Sequence, residues 1–318
     1  MFFGKIKNTI FLAAFAAISC AASAQSSGFS RYEHLITPQS QKRHIDTLCS
    51  PAMEGRAIGS AGGEKARLYI AGEFQKYGVC KRGIYYEQSF LHKTGTGKNI
   101  IGEISSAEKN GDYIIICAHY DHLGRIGSRF YPGANDNASG VAALLELARV
   151  FGCLKKSGNG VKSNLIFIAF DGKEADMAGS RHFARNLKIH PGRIKYVINI
   201  DQIATTDSPP HNNREYLLVL GIDAVKPWIR ERLELCNRLS GLNLDIDYTY
   251  YGSKKFYEIF YRLSDHYSFT SLGIPSLMFT CGIDADTYKT TDTPDKIDYQ
   301  VLTKRIRLIY RFVYSTAN

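Results

Sequence analysis

Histidine and acidic residues follow several apolar segments of this chain, and these residue types can hold a divalent metal ion. His119 and Asp121 directly follow one apolar run, and Asp201 follows another. Glu174 comes shortly after a third run, and Asp136 lies among small residues that precede a helix-like segment. An imidazole and hard carboxylate oxygens together suit zinc or a similar divalent ion. Each residue alone could be an ordinary polar group, so the prediction of a metal site depends on their convergence.

The segments around these residues predict strands that alternate with helices. Continuous apolar runs, typical of strands covered on both faces, are Tyr113–Ala118, Leu165–Phe170, Tyr196–Ile200, Tyr216–Leu220 and Ser276–Phe279. Segments with helical patterns are Gly62–Tyr77, Val141–Phe151, Met177–Leu187, Lys226–Leu239 and Tyr299–Tyr314. Two further segments could add antiparallel edge strands, Tyr85–Phe90 and Asn99–Ile104.

This alternation predicts an α/β fold, a three-layer sandwich with a central mixed, mostly parallel sheet flanked by helices. In open α/β sheets, ligand sites lie beyond the carboxyl ends of the strands. His119, Glu174 and Asp201 stand at or shortly after such ends, and the loop with Asp136 lies between them along the chain. The fold would therefore bring the four side chains to one edge of the sheet.

The first 24 residues are predicted to be a signal peptide, and residues 25–318 a single catalytic domain. Lys5 and Lys7 form a positive segment, Ile10–Ile18 is a short apolar run, and Ala22-Ser23-Ala24 is a small-residue cleavage pattern. We therefore expect an exported protein, periplasmic or extracellular. Attachment of a lipid at Cys20 is a minor alternative.

Composition limits the partners of the mature chain. Removing the two lysines of the leader lowers the formal charge from +10 to +8, and the excess is spread along the chain without a nucleic-acid motif. We expect no nucleic-acid partner. After residue 25, no run approaches the roughly 18 apolar residues of a membrane-spanning helix, so none is expected in the mature chain. The six remaining cysteines lack CxxC spacing, which argues against a Cys-rich zinc site.

Several motifs resemble those of one enzyme family. In order along the chain they are residues 53–56, 118–124, 133–140, 167–183, 199–201 and 264–266. They are similar to motifs of zinc aminopeptidases of the aminopeptidase Y and bacterial leucyl aminopeptidase type, within the zinc-dependent exopeptidase superfamily. Glutaminyl cyclases belong to the same superfamily. The resemblance extends from about residue 45 to residue 300 and implies the α/β fold described above.

The resemblance also implies a dinuclear zinc site. His119 and Asp201 would bind one ion, and Asp136 would bridge both ions. Glu174 would bind the second ion together with a late histidine, while Asp121 would orient His119. A glutamate immediately before Glu174 would act as the general base. Residues 264–266 would support the site without binding an ion.

The chain departs from this pattern at two positions. Lys173 stands directly before Glu174, and Tyr288 occupies the place of the late histidine. A protonated lysine has no lone pair, and a phenol with a pKa of about 10 is a poor zinc ligand at neutral pH. Two interpretations stay open. In the first, the positive charge of Lys173, together with Lys289, takes the place of the second zinc ion. In the second, both lysines face solvent, and the changes at positions 173 and 288 mean only that activity has been lost.

These considerations predict a metal-dependent, aminopeptidase-like enzyme that hydrolyses amino-terminal residues from peptides. One zinc ion is expected and two are compatible with the motifs. Glu174 would act as the general base, and Tyr288 or a lysine would stabilise the oxyanion. The predicted catalytic residues are thus Glu174, Asp121, Lys173 and Tyr288. The alternatives are an inactive homologue that acts as a binding protein and, third, a glutaminyl cyclase.

Overall fold

The computed structural model describes residues 32–84 and 86–318. The predicted signal peptide, its cleavage site and Cys20 lie outside these residues. The helices are α1 (Pro38–Leu48), α2 (Ala61–Tyr77), α3 (Ser139–Lys156), α4 (Ala178–Arg185), α5 (Pro227–Leu239), α6 (Lys254–Phe260), α7 (Tyr267–Thr270) and α8 (Tyr299–Ala317). The strands are β1 (Cys80–Lys81), β2 (Glu87–His92), β3 (Gly95–Ile104), β4 (Tyr113–His119), β5 (Arg125–Ile126), β6 (Arg129–Phe130), β7 (Asn164–Phe170), β8 (Ile194–Ile200), β9 (Tyr216–Leu220), β10 (Asp245–Asp247) and β11 (Ser276–Thr280).

Nine strands form one mixed sheet in the order β1-β3-β7-β4-β8-β11-β9-β10, with β2 paired to β3. The four central strands, β7, β4, β8 and β11, are parallel to one another. Antiparallel pairs flank this centre, where β3 meets β7 and β9 meets β11. The predicted α/β sandwich around a mixed sheet is confirmed. The parallel centre matters for the site, because it places the carboxyl ends of β7, β4 and β8 side by side.

Strand β4 shows why the central strands read as continuous apolar runs. Ile114 and Ile116 point to one face of the sheet and join the core formed with helices α2, α3 and α8. Ile115 and Cys117 point to the other face and pack in the core that includes Phe183 of helix α4. Successive side chains of a strand alternate between faces, so helices on both faces require apolar residues at every position.

Helix α3, which follows the segment with Asp136, is a core element of the protein. The stretch Ala134–Lys156 is long and apolar enough to cross a membrane, but 89% of its apolar window is buried inside the protein. Within the described residues it is the one helical stretch that meets this criterion. Its burial is what a central helix packed on a sheet requires.

Helix ends and small elements differ from the sequence-based expectations. Helix α3 runs to Lys156 instead of Phe151, and helix α4 ends at Arg185 instead of Leu187. Helices α1, α6 and α7 were not predicted at all. The six cysteines of the described part of the chain are free, and Cys117 is buried. These differences concern short or marginal segments, whose structure depends on tertiary contacts more than on local pattern.

Arg56 connects the loops on either side of the candidate site. Its guanidinium is fully buried and donates hydrogen bonds to the main-chain carbonyls of Leu48, Tyr120, Pro132 and Gly133, at 2.6–2.9 Å. One side chain thus donates to the carbonyl at the end of helix α1 and to three carbonyls in loops. This explains the structural need for arginine at this position.

We expect Arg56→Met to destabilise the protein by at least ~3 kcal/mol, because it leaves several buried carbonyls without donors. The free energy of unfolding, measured in urea, checks this. Arg181→Met is the matched control, since Arg181 makes an exposed ion pair with Asp176, and such pairs contribute about 0–1 kcal/mol. Equal effects of the two substitutions would contradict the proposed role of Arg56.

Candidate metal centre

The four predicted metal ligands lie together at the carboxyl edge of the parallel strands. His119 ends strand β4, Asp201 follows β8, and Glu174 lies in the loop after β7. Asp136 lies in the turn of residues 134–138 that leads into α3. Because β7, β4 and β8 are neighbours in the sheet, residues far apart in sequence meet at one place.

Two distances from His119 match the spacing of ligand atoms in a tetrahedral metal site. His119 Nε2 lies 3.2 Å from Asp201 Oδ1 and 3.4 Å from Asp136 Oδ1. Zinc–nitrogen and zinc–oxygen bonds of about 2.0–2.2 Å in a tetrahedron place neighbouring ligand atoms roughly 3.3–3.5 Å apart. All three side chains are almost fully buried. The set offers one imidazole and two carboxylates, and a fourth position would remain open.

The carboxylate of Asp136, which lies beside His119, has no hydrogen-bond donor of its own in the part of the chain that the structure describes. Both of its oxygens are buried and accept no hydrogen bond from any residue in the described ranges. A buried carboxylate without donors is strongly disfavoured unless a cation compensates its charge. The Lys173 ammonium, 3.8 Å from Oδ1, supplies part of this compensation, and the ligand set of one imidazole and two carboxylates also fits a divalent metal ion.

Asp121 orients both sides of this centre. Its main-chain carbonyl lies 3.1 Å from His119 Nδ1. A carbonyl can only accept, so Nδ1 carries the proton and Nε2 faces the two carboxylates. The carboxylate of Asp121 accepts the main-chain N–H groups of Lys173 and Glu174, each at 3.0 Å. Asp121 thus fixes the histidine and the loop that carries Glu174.

Two further residues orient the remaining carboxylates. Asp292 accepts the main-chain N–H groups of Asn135 and Asp136, at 2.7 and 3.0 Å. Ser264 Oγ donates to Asp201 Oδ2 at 2.5 Å. Residues 264–266 were expected to support the site, and Ser264 makes this contact. The role of Asp292 was not predicted from the sequence.

Lys173 points into the centre. Its Nζ lies 3.1 Å from Glu174 Oε1, 3.8 Å from Asp136 Oδ1 and 3.5 Å from the hydroxyl of Tyr288. Only 6% of its side chain is exposed. Lys289, in contrast, is exposed. The interpretation that both lysines face solvent is therefore wrong for Lys173 and describes Lys289 correctly.

The surrounding charges keep Lys173 protonated. Burial lowers its pKa, but Asp136, Asp201 and Glu174 outweigh burial and hold the pKa well above the usual range. Burial also raises the pKa of Tyr288 to about 12, although Lys173 opposes this. At neutral pH one residue is an ammonium ion and the other a neutral phenol, so neither offers a good lone pair to a metal.

His119 experiences the same excess of negative charge. Burial and the Lys173 ammonium oppose protonation of the imidazole. Asp201, Asp121 and Asp136 nevertheless hold the pKa of His119 well above its usual value. The carboxylates thus attract any positive charge placed among them, as a divalent cation site requires.

His122 belongs to the same cluster, although the sequence analysis gave it no role. It is 2% exposed, and neither ring nitrogen has a hydrogen-bond partner within the described residues. Its Nδ1 lies 4.0 Å from Asp136 Oδ2. The sequence did show a second histidine three residues after His119. Strand alternation would place residues three apart on opposite faces, but β4 ends at His119, and the turn beyond it brings His122 back.

A cleft of about 410 Å³ opens beside the centre. Asp121, His122 and Glu174 line its inner part, and Lys93 and Asp176 lie among its other lining residues. A substrate in this cleft would contact Glu174 directly. The cleft thus reaches Glu174 and His122, whereas His119, Asp136 and Asp201 lie behind its lining residues.

A model of peptidase family M28 matches residues 99–313. This range covers more than half of the sequence and contains all four predicted metal ligands, together with Asp121, His122, Lys173 and Tyr288. The chain belongs to peptidase family M28. The confirmed fold and the cluster of histidine and carboxylate side chains agree with this assignment.

Two curated relatives and one solved structure illustrate the relationship. A probable zinc metalloprotease of Pyrenophora tritici-repentis is 34% identical over 189 residues, which are 53% of this chain and 41% of that protein. Aminopeptidase YwaD of Bacillus subtilis is 29% identical over 189 residues, 59% of this chain and 36% of that protein. The chain therefore spans about two fifths of the length of these relatives. The structure of BSAP, a zinc aminopeptidase from Bacillus subtilis, is similar in fold, with a TM-score of 0.70 and 17% identity over 89% of this chain and 96% of that one.

Proposed function

We propose that the protein is a zinc-dependent aminopeptidase with one catalytic ion, held by His119, Asp136 and Asp201. The observation that carries this proposal is the buried Asp136 carboxylate, which lies 3.4 Å from His119 Nε2 and accepts no hydrogen bond from the described residues. Relatives named as a zinc metalloprotease and an aminopeptidase support the choice of metal and reaction. Three protein ligands and an open fourth position are typical of catalytic zinc sites.

Residues beside the ion would carry out the proton transfers. When bound, zinc polarises a peptide carbonyl and acidifies water. Glu174 lines the cleft, so its carboxylate can accept the proton of the attacking water and return it to the leaving amine. Lys173 and Tyr288, whose donor atoms lie 3.5 Å apart, can donate hydrogen bonds to the developing oxyanion.

Charge balance supports a single ion. The family resemblance implies a glutamate where this chain has Lys173, and this exchange adds two positive charges. A second zinc ion would supply the same amount. The Lys173 ammonium contacts Glu174 and lies near Asp136, the two carboxylates that the second ion would use. We therefore propose that Lys173 compensates their charge in the resting protein.

Metal analysis combined with a peptide screen tests this proposal. Purified protein, prepared without added zinc or chelator, should contain about one zinc ion per chain by mass spectrometry. It should release the first residue from peptides with a free α-amino group and lose this activity with a chelator. Equal cleavage of the same peptides with an acetylated α-amino group would refute aminopeptidase specificity. Hydrolysis that persists in metal-free protein would refute zinc dependence.

A second candidate is a protein that binds peptides without hydrolysing them. The presence of Lys173 at the general-base position favours it, because an ammonium ion cannot accept a proton. On this alternative, zinc-loaded protein would bind peptides in equilibrium measurements, but the screen would detect no released amino acid. A glutaminyl cyclase is not favoured by any specific contact of the described residues.

A further inference from the structure

His122 is a buried imidazole that the proposed single-ion mechanism does not use. Its two ring nitrogens have no hydrogen-bond partner within the described ranges. One ligand atom each from His122, Asp136 and Glu174 lie within 4.8 Å of one another. Resting on the proposed function, we propose that these residues form a second, weaker divalent-cation site, in which His122 replaces the imidazole missing at Tyr288. We propose further that Lys173 competes with the second ion.

Each oxygen of the Asp136 carboxylate faces a different imidazole. Oδ1 lies 3.4 Å from His119 Nε2, and Oδ2 lies 4.0 Å from His122 Nδ1. Neither oxygen accepts a hydrogen bond from a described residue. A carboxylate between two imidazoles in this way can bridge two cations, one on each oxygen. Glu174 completes the second set with a hard oxygen ligand.

The surroundings hold the His122 ring in place. Gly133 has φ +61°, and a Cβ atom there would come within 2.6 Å of two atoms of the ring. The absence of a side chain at Gly133 therefore leaves the room that the ring occupies. The Tyr288 ring stacks near His122 with centroids 6.4 Å apart and an angle of 19°. Tyr288 thus occupies the position of the late histidine. It packs beside His122, the imidazole proposed to take over the role of that histidine.

Lys173 sets the affinity of this second site. Its ammonium group is 3.1 Å from Glu174 Oε1 and 3.8 Å from Asp136 Oδ1. A divalent ion bound to the same carboxylates would lie close to this ammonium, and two positive charges at such a distance repel strongly in a buried site. The second ion therefore binds only when the Lys173 side chain moves away. This predicts one tight ion and one weak ion in the natural sequence.

Zinc and cobalt titrations of four proteins test the inference. They are the unaltered chain, Lys173→Met, His122→Phe and the combined variant. Methionine removes the charge at similar length, and phenylalanine keeps the ring without its nitrogens. We expect Lys173→Met to bind the second ion at least about tenfold more tightly. Adding His122→Phe should abolish this gain and leave one ion. His211→Ala is the control, because His211 is exposed and pairs with Asp245.

Stoichiometry from native mass spectrometry separates the outcomes. One ion in Lys173→Met at every metal concentration overturns the second site. Two tight ions in both Lys173→Met and the combined variant overturn the role of His122. An unaltered chain that binds no ion instead refutes the proposed function. Circular dichroism and thermal melting verify folding. If Lys173→Met fails to fold, Lys173→Gln replaces it, and His122→Ala replaces His122→Phe in the same way.

Discussion

His119→Ala is expected to remove the tightly bound zinc ion and to lower peptide hydrolysis by at least about 10³-fold. The imidazole is the one nitrogen ligand of the proposed catalytic ion, and its Nε2 lies 3.2 Å from Asp201 Oδ1. Without it, two carboxylates remain, which bind zinc weakly and leave the ion poorly positioned. The substitution also removes a group that compensates buried negative charge, so stability should fall.

Metal content and activity must be measured on the same folded sample of His119→Ala. His211→Ala is again the matched control and should keep about one zinc ion and full activity. Added zinc should raise the melting temperature of the unaltered protein more than that of His119→Ala, because ligand binding to the native state stabilises it. If His119→Ala keeps one tightly bound ion, the proposed ligand set is wrong.

Glu174→Gln is expected to keep the catalytic ion and to lower kcat by about 10²–10⁴-fold. Glutamine has nearly the same shape as glutamate, but its amide cannot accept the proton from water. The first ion does not depend on Glu174, since its three ligands are other residues. The expected signature is therefore a loss of turnover with unchanged zinc content and little change in KM.

Glu108→Gln is the matched control for Glu174→Gln. Glu108 pairs with Lys162 outside the cleft, and its side chain is 58% exposed. This control should retain activity, which separates loss of the base from the loss of one negative charge. Undiminished hydrolysis by Glu174→Gln would show that another residue acts as the base. Loss of zinc from the same variant would show that Glu174 binds the catalytic ion.

The lysine at position 173 bears on how many ions a metal centre of this type can hold. In this protein an ammonium group lies among carboxylates that could otherwise hold an ion. Asp121 receives hydrogen bonds from the main-chain N–H groups of Lys173 and Glu174, so the loop itself is held independently of the side chain at 173. A change of one side chain can therefore alter the number of bound ions without refolding the loop.

The sequence by itself determined the fold class and indicated four candidate metal ligands, whose binding of an ion stays a prediction. Apolar runs such as Tyr113–Ala118 predict strands because helices cover both sheet faces, and this pattern is local enough to be read from the chain. The ligands could be predicted because they stand at or shortly after strand ends, where parallel strands meet. The predicted signal peptide at residues 1–24 and the single domain at 25–318 stay predictions.

The tertiary structure alone decided which way several side chains point. Lys173 turns inward because three carboxylates attract its charge, whereas Lys289, one residue after Tyr288, remains exposed. His122 enters the centre because the chain turns after β4, and Asp292 holds the main chain at Asp136 from 156 residues away. Spacing along one element fixes local neighbours, but contacts between loops depend on how the whole sheet brings those loops together. The number of ions at this centre depends on such contacts.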